Sequence, residues 1–143
     1  MATLYLTKIL HFSAAHHLES AALGEAENQA VYGVCSRDHG HNYLVEVTVK
    51  GRPGPDGMLI DVGALEDIVR RAVVDLVDHR DLSRDVPVLG GVVTTGENLA
   101  TAFYRMLDTA LPAGLLHSVA VVETANNRFE FGGDREAAPK ERA

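Results

Sequence analysis

The sequence predicts an α+β domain in which a four-stranded antiparallel sheet carries two helices on one face. Two kinds of periodicity and one ordering point to it. Some stretches alternate apolar and polar residues, others repeat apolar residues at helical spacing, and they follow one another as β, loop, β, α, α, β, β. The chain has 143 residues, the length of one ordinary domain. A sheet of four strands left open has edges that need covering, and oligomerisation is one way to cover them.

Thr3 to Ser13 reads as the first strand, with Leu4, Leu6, Leu10 and Phe12 on one face and only Lys8 breaking it. A short helix is expected over Glu25 to Tyr32 in the less regular stretch that follows. Tyr43 to Lys50 is the second strand: Tyr43, Val45, Val47 and Val49 alternate with Leu44, Glu46 and Thr48. The turn-rich run from Gly51 to Gly57 then leads to Met58-Leu59-Ile60. Asp61 offers an N-cap to a helix whose apolar stripe is Leu65, Ile68, Val69, Ala72, Val73 and Leu76. A second helix opens on Thr94-x-x-Glu97, a capping-box pattern, and buries Leu99, Phe103, Met106, Leu107 and Ala110 before Pro112 and Gly114 stop it. His117 to Thr124 is a third strand, and Asn126-Asn127 turns it into a fourth at Arg128 to Phe131. Residues 1–132 form the domain, and the small, charged tail 133–143 is expected to be disordered.

Charge and composition exclude several classes. A net charge of −7 with no basic cluster argues against a nucleic-acid partner. No apolar run reaches the ~18 residues of a membrane span, and no signal pattern opens the chain. A single cysteine, Cys35, rules out an intramolecular disulfide. The expectation is a soluble, cytoplasmic protein acting on a small molecule.

The chemistry concentrates in a few residues. His39-Gly40-His41 directly precedes the second strand, and residues i and i+2 of an extended chain point to one side, so two imidazoles can converge on one ion. Gly40 keeps the space between them clear. His16, just after the first strand, is the third ligand expected, with His17 its rival by position. Three neutral imidazoles with one open position are a catalytic zinc arrangement that acidifies bound oxygens. His11 and His117 read as ordinary strand residues.

Other residues are ambiguous when taken singly. Cys35, four residues before His39, is either a small buried hydrophobe or, beside zinc, a thiolate base or nucleophile. Asp78-His79 is either a solvated turn or a proton-transfer pair in which the acid fixes the imidazole's tautomer. Glu123 is either an exposed strand-end acid or an acceptor of two parallel N–H bonds from a planar amidine-like edge, such as guanine and pterin rings present.

Together these residues resemble the 6-pyruvoyl-tetrahydropterin synthase and 6-carboxytetrahydropterin synthase family. The resemblance rests on Phe12-Ser-Ala-Ala-His16, Cys35-x-x-x-His39-Gly-His41-Asn-Tyr43, Gly57-Met-Leu-Ile-Asp61, Asp78-His79, Thr94-Thr-Gly-Glu-Asn98 and Val122-Glu-Thr-Ala-Asn-Asn127, six blocks in order. It implies a T-fold (tunnelling fold) that trimerises into a barrel, two trimers stacking as a homohexamer with sites between subunits. It implies zinc on His16, His39 and His41, a catalytic thiol at Cys35, and a second proton-transfer unit at Asp78 and His79. It also implies pterin binding by Glu123, Thr95 and Glu97.

The implied reaction is that of a zinc-dependent lyase. It converts 7,8-dihydroneopterin triphosphate to 6-carboxy-5,6,7,8-tetrahydropterin with loss of triphosphate and acetaldehyde, a route toward deazapurines such as queuosine. The Cys35–His39 spacing favours this reading, since animal pyruvoyl synthases carry a longer insert. The segments Glu27 to Gly33 and Val122 to Asn127 look instead like a 6-pyruvoyl-tetrahydropterin synthase, which would serve tetrahydrobiopterin synthesis. A pterin-binding homologue without catalysis is the third reading. Two departures from the family stand out: His17 replaces a frequent Arg, and Gly96 replaces a small hydroxyl residue.

Overall fold

The structure is a computed structural model that describes residues 2–133; the tail expected to be disordered lies, from residue 134 on, outside the described residues. Strand β1 (Leu4–His16) and strand β2 (His39–Gly51) form the centre of the sheet. They pair antiparallel without a slip, from Leu4 opposite Gly51 to His16 opposite His39. Strand β4 (Leu116–Thr124) adds to β2, and β5 (Asn127–Phe131) adds to β4, both antiparallel. Both leading strands therefore run further than the alternation predicts. His16 and His39 sit on strands, not beside them.

The described residues contain five strands, not four. The extra one, β3 (Arg80–Asp81), lies parallel to β1 and opposite Ala14 and Ala15, giving the order β3-β1-β2-β4-β5. Two residues are too few to show an alternation, so no sequence pattern marks them. Backbone bonds from His79 N–H to Ser13 O (2.6 Å) and from Leu82 N–H to Ala15 O (2.8 Å) tie this short strand down.

Helix α1 (Glu25–Tyr32) has the bounds expected, and a 3₁₀ turn, Gly33–Ser36, leads from it toward β2. Helix α2 (Val62–Val69) starts at Asp61, whose Oδ1 accepts the N–H groups of Gly63 (2.8 Å) and Ala64 (3.4 Å). A π-helical turn, Arg70–Val74, follows, and the helix finishes as α3 (Asp75–Val77). That wider turn shifts the buried stripe by one position. Leu76, expected in the core, is 44% exposed, while Val77 is fully buried.

Helix α4 (Gly96–Ala110) starts one residue later than its capping pattern suggests and ends, as expected, before Pro112. Thr95, not Thr94, is the N-cap, its hydroxyl accepting Asn98 N–H at 3.3 Å. At the far end Ala110 faces solvent, and Leu111, already extended, turns back into the core.

The core lies between these helices and one face of the sheet. Leu10, Phe12, Tyr43, Val45, Val47, Val119 and Val121 meet Leu65, Val69, Val73, Leu99, Phe103 and Leu107. Phe12 and Tyr43 stack as a cross-strand pair, ring centroids 4.7 Å apart, and Phe103 meets Phe12 edge-on at 5.9 Å. Such aromatic pairs add about 0.5–1.5 kcal/mol each beyond the area they bury. Lys8, the one break in the apolar face, reaches Glu66 of α2 at 3.6 Å. No helix of the described residues is long and apolar enough to cross a membrane.

Candidate metal centre and its cavity

Strand register assembles the cluster. His16 is the residue opposite His39, and two-residue periodicity brings His41 to the same side. The three imidazole centroids form a triangle with sides of 4.5, 4.9 and 5.1 Å. Gly40 does not shape this triangle, because its side-chain direction points to the other face of the sheet. A Cβ there would meet Ala14 O at 3.4 Å, an ordinary contact.

Hydrogen bonds orient two of the rings. His16 Nδ1 lies 2.9 Å from Thr94 O, and His39 Nδ1 lies 2.8 Å from Arg37 O. A carbonyl oxygen only accepts, so both rings carry their proton on Nδ1 and turn the Nε2 lone pair inward, the tautomer a metal needs. Burial pushes the pKa of His16 down to about 4. The bond to Thr94 opposes that shift, and His39 and His41 reinforce it. Burial likewise lowers His41, against the nearby Glu123 charge. These imidazoles are neutral at neutral pH and free to donate electron pairs.

The sequence reading did not place Glu123 in this cluster, and the structure does. Its Oε1 is 2.9 Å from His41 Nε2 and 3.5 Å from His16 Nε2. Yet His41 Nε2 is buried and lacks a hydrogen-bond partner. A buried polar atom without a partner, facing a carboxylate, fits a site made for a cation between them. One ligand atom from each of His16, His39, His41 and Glu123 lies within 4.8 Å of the others. Ligands on one tetrahedral zinc ion sit about 3.3 Å apart, so small side-chain rotations suffice. The four residues can hold a metal ion.

A second layer supports His16. Thr94, read as a helix cap, is buried, and its hydroxyl lies 3.3 Å from His16 Nδ1 and 3.2 Å from Ser83 Oγ. Ser83 in turn accepts His17 N–H and donates to His17 O, both at 3.0 Å. His17 is thereby turned away, its Nε2 2.9 Å from Glu19 Oε2, which leaves His16 as the cluster residue. The Tyr43 hydroxyl stands 3.3 Å from His16 Nε2, and burial, with Glu123 adding to it, pushes the phenol's pKa above its ordinary value. No pattern in the sequence marks Ser83 or Tyr43 as part of the site, although Tyr43 is two residues beyond His41 on the same face.

A cavity of about 740 Å³ opens beside the cluster. His39, His41, Glu123 and Cys35 line it together with Thr95, Gly96, Glu97 and Phe129. Cys35 sits in the 3₁₀ turn as a partly exposed free thiol. The structure thus gathers His39, His41, Cys35, Glu123, Thr95 and Glu97 around one space, with His16 buried behind His39 and His41.

Asp78 and His79 are elsewhere. Asp78 Oδ1 accepts Ser13 N–H at 2.9 Å and lies 3.0 Å from His79 Nδ1. The Ser13 bond, more than His79, holds this carboxyl below its usual pKa. His79 has a positive φ of 59° and a side chain that is 82% exposed. It lines a separate cavity with Ser13, Gly40, Asn42 and Arg80, and among the described residues only His41 borders both spaces. One chain alone does not bring this pair to the cluster.

Comparison with known proteins agrees with the geometry. The family model described as 6-pyruvoyl tetrahydropterin synthase matches residues 5–134. A relative from Dictyostelium discoideum named 6-pyruvoyl tetrahydrobiopterin synthase is 40% identical over 133 residues, covering 92% of this chain and 98% of that protein. The structure of Caenorhabditis elegans 6-pyruvoyl tetrahydropterin synthase superposes with a TM-score of 0.88 at 34% identity, covering 93% of this chain and 97% of that one. A shorter match, 39% identical over 85 residues, links the chain to the Bacillus subtilis (strain 168) 6-carboxy-5,6,7,8-tetrahydropterin synthase, covering 56% of this chain and 51% of that protein.

Proposed function

The chain belongs to the 6-pyruvoyl tetrahydropterin synthase family, and we propose that it is a zinc-dependent lyase acting on 7,8-dihydroneopterin triphosphate. One observation carries this reading: His39 and His41, which cluster with the buried His16, border the same cavity as the Cys35 thiol. His16, His39 and His41 hold the zinc. Bound there, it supplies Lewis-acid polarisation of the substrate's side-chain hydroxyl oxygens.

The chain's own groups move the protons. Cys35 Sγ takes one from the side-chain carbon next to the ring, and His79, oriented by Asp78, transfers one at the neighbouring carbon or hydroxyl. Glu123 accepts the two N–H groups of the pterin's amidine-like edge, with Thr95 and Glu97 binding beside it. Triphosphate leaves with the electrons of its C–O bond. Oxidation of the side-chain carbinols balances reduction of the ring, so no external reductant is required.

Because His79 projects outward from its own chain, a second copy completes the site. The assembly proposed is a homohexamer of two T-fold trimers, located in the cytoplasm. Matches over nearly the full length favour the 6-pyruvoyl product. The Cys35–His39 spacing and the Bacillus match support a second reading, in which one water is also consumed, its oxygen entering the carboxylate as a carbon–carbon bond breaks, and 6-carboxytetrahydropterin and acetaldehyde result. Incubating the zinc-loaded protein with 7,8-dihydroneopterin triphosphate and weighing the products separates the two. Triphosphate with a pyruvoyl-pterin mass is expected. Substrate recovered intact would overturn the lyase assignment and leave a pterin-binding protein.

A further inference from the structure

Gly96, one of the two departures from the family, lies against an aromatic ring. A Cβ at this position would collide with Cγ, Cδ2 and Cε2 of Phe129. These are consecutive ring atoms at similar separations, so the glycine lies over the ring's face and not at its rim. The backbone itself does not call for glycine here, since Gly96 is not among the glycines with positive φ. The ring does.

Both residues line the cavity that holds Cys35, His39, His41 and Glu123. Phe129 is rooted opposite the buried Val121 on β4, and Gly96 is the buried first residue of α4. One face of the ring is thus backed by the helix start, at the edge of a space large enough for a bicyclic heterocycle.

We propose that Phe129, laid flat on Gly96, is the wall against which the substrate's planar ring packs, and that this pair fixes where the ring lies relative to Cys35 and Glu123. The proposal rests on the pterin reading above. Its physical basis is general: a flat heteroaromatic gains contact and dispersion against a rigid aromatic face, which no aliphatic side chain of similar volume reproduces. Any side chain at position 96 would push the ring off the helix and into the cavity.

Oxidised neopterin, which has no triphosphate to lose, is the probe, titrated by fluorescence into the zinc-loaded full chain. Phe129→Leu should raise its Kd about tenfold with zinc content unchanged, and Phe129→Tyr should stay within about threefold. Gly96→Ala should also weaken binding, and adding Phe129→Leu to it should cost nothing more, because the Cβ then has room. If Gly96→Ala does not fold, the two Phe129 variants decide alone. A Phe129→Leu protein with a lower melting temperature and wild-type Kd would reduce Phe129 to a core plug and overturn the proposal. So would effects of the two substitutions that multiply. Wild-type protein that binds no neopterin would overturn this proposal together with the pterin reading, whereas binding unaffected by Phe129→Leu would overturn this proposal alone.

Discussion

The paired ends of β1 and β2 and the turn after α3 both present histidines beside carboxylates, in opposite surroundings. At the strand ends, His16 and His39 each give a ring N–H to a main-chain carbonyl, and His16 is buried behind Thr94 and Ser83. At the turn, His79 has Asp78 for company and is otherwise open to solvent, on a backbone conformation that non-glycine residues seldom adopt. A single chain completes one group and displays the other. Backbone strain of this kind clusters at functional sites. The difference fits the cluster to holding an ion, and the turn to the role in a shared site proposed for it above.

The largest expected effect lies beside the cluster. Cys35→Ala should lower turnover about 10³-fold while leaving zinc and neopterin binding intact, as loss of a general base requires. Turnover and metal content measured on one preparation check it. Near wild-type turnover with a lowered melting temperature would make Cys35 a packing residue.

At the turn, His79→Ala should cost about 10²-fold in turnover without loss of metal. Co-assembling His79→Ala with His39→Ala subunits should restore activity, because some sites then receive an intact residue from each chain. No recovery in the mixture would place His79 outside any shared site.

Burial of His16 makes a pH prediction for the metal-stripped protein. Its folded pKa of about 4 lies below the ordinary 6.5, so the folded state favours the neutral ring. This contribution is complete above pH 6.5 and is lost as pH falls from 6.5 toward 4, at about 1.4 kcal/mol per unit and about 3 kcal/mol in all. Urea unfolding across that window reads the slope, which His16→Gln should flatten.

Smaller still is Thr94→Val. It keeps the carbonyl that orients His16 and removes the hydroxyl, so zinc affinity should fall about tenfold, the lower end of what supporting hydrogen bonds contribute. Competition with a chromogenic chelator measures it. Loss of all metal would mean the hydroxyl, not the carbonyl, sets the ring.

Much of the centre was legible because strands carry a two-residue period. Tyr43, Val45, Val47 and Val49 announce β2, and that period places His39 and His41 on the same side. What stayed hidden depends on contacts between distant segments. β3 exists only because two residues meet β1, and the π turn that exchanges Leu76 for Val77 leaves no compositional trace. Thr94 looked like a cap because Thr95 beside it has the same chemistry; tertiary packing claimed the first and left the second to the helix. The approach of Glu123 to His41 required the register of β4 on β2, which local periodicity does not supply.

In the proposed centre the strand-end histidines, and neither Cys35 nor the Asp78–His79 turn, hold the metal. Cobalt(II) added to the stripped protein tests it by visible spectroscopy. The intense ligand-field bands of a low-coordinate nitrogen and oxygen site are expected, with no sulfur-to-metal charge transfer. Those bands should vanish in His39→Ala and persist in His79→Ala and Cys35→Ala. Bands that survive in His39→Ala, or a thiolate transition that disappears in Cys35→Ala, would contradict it.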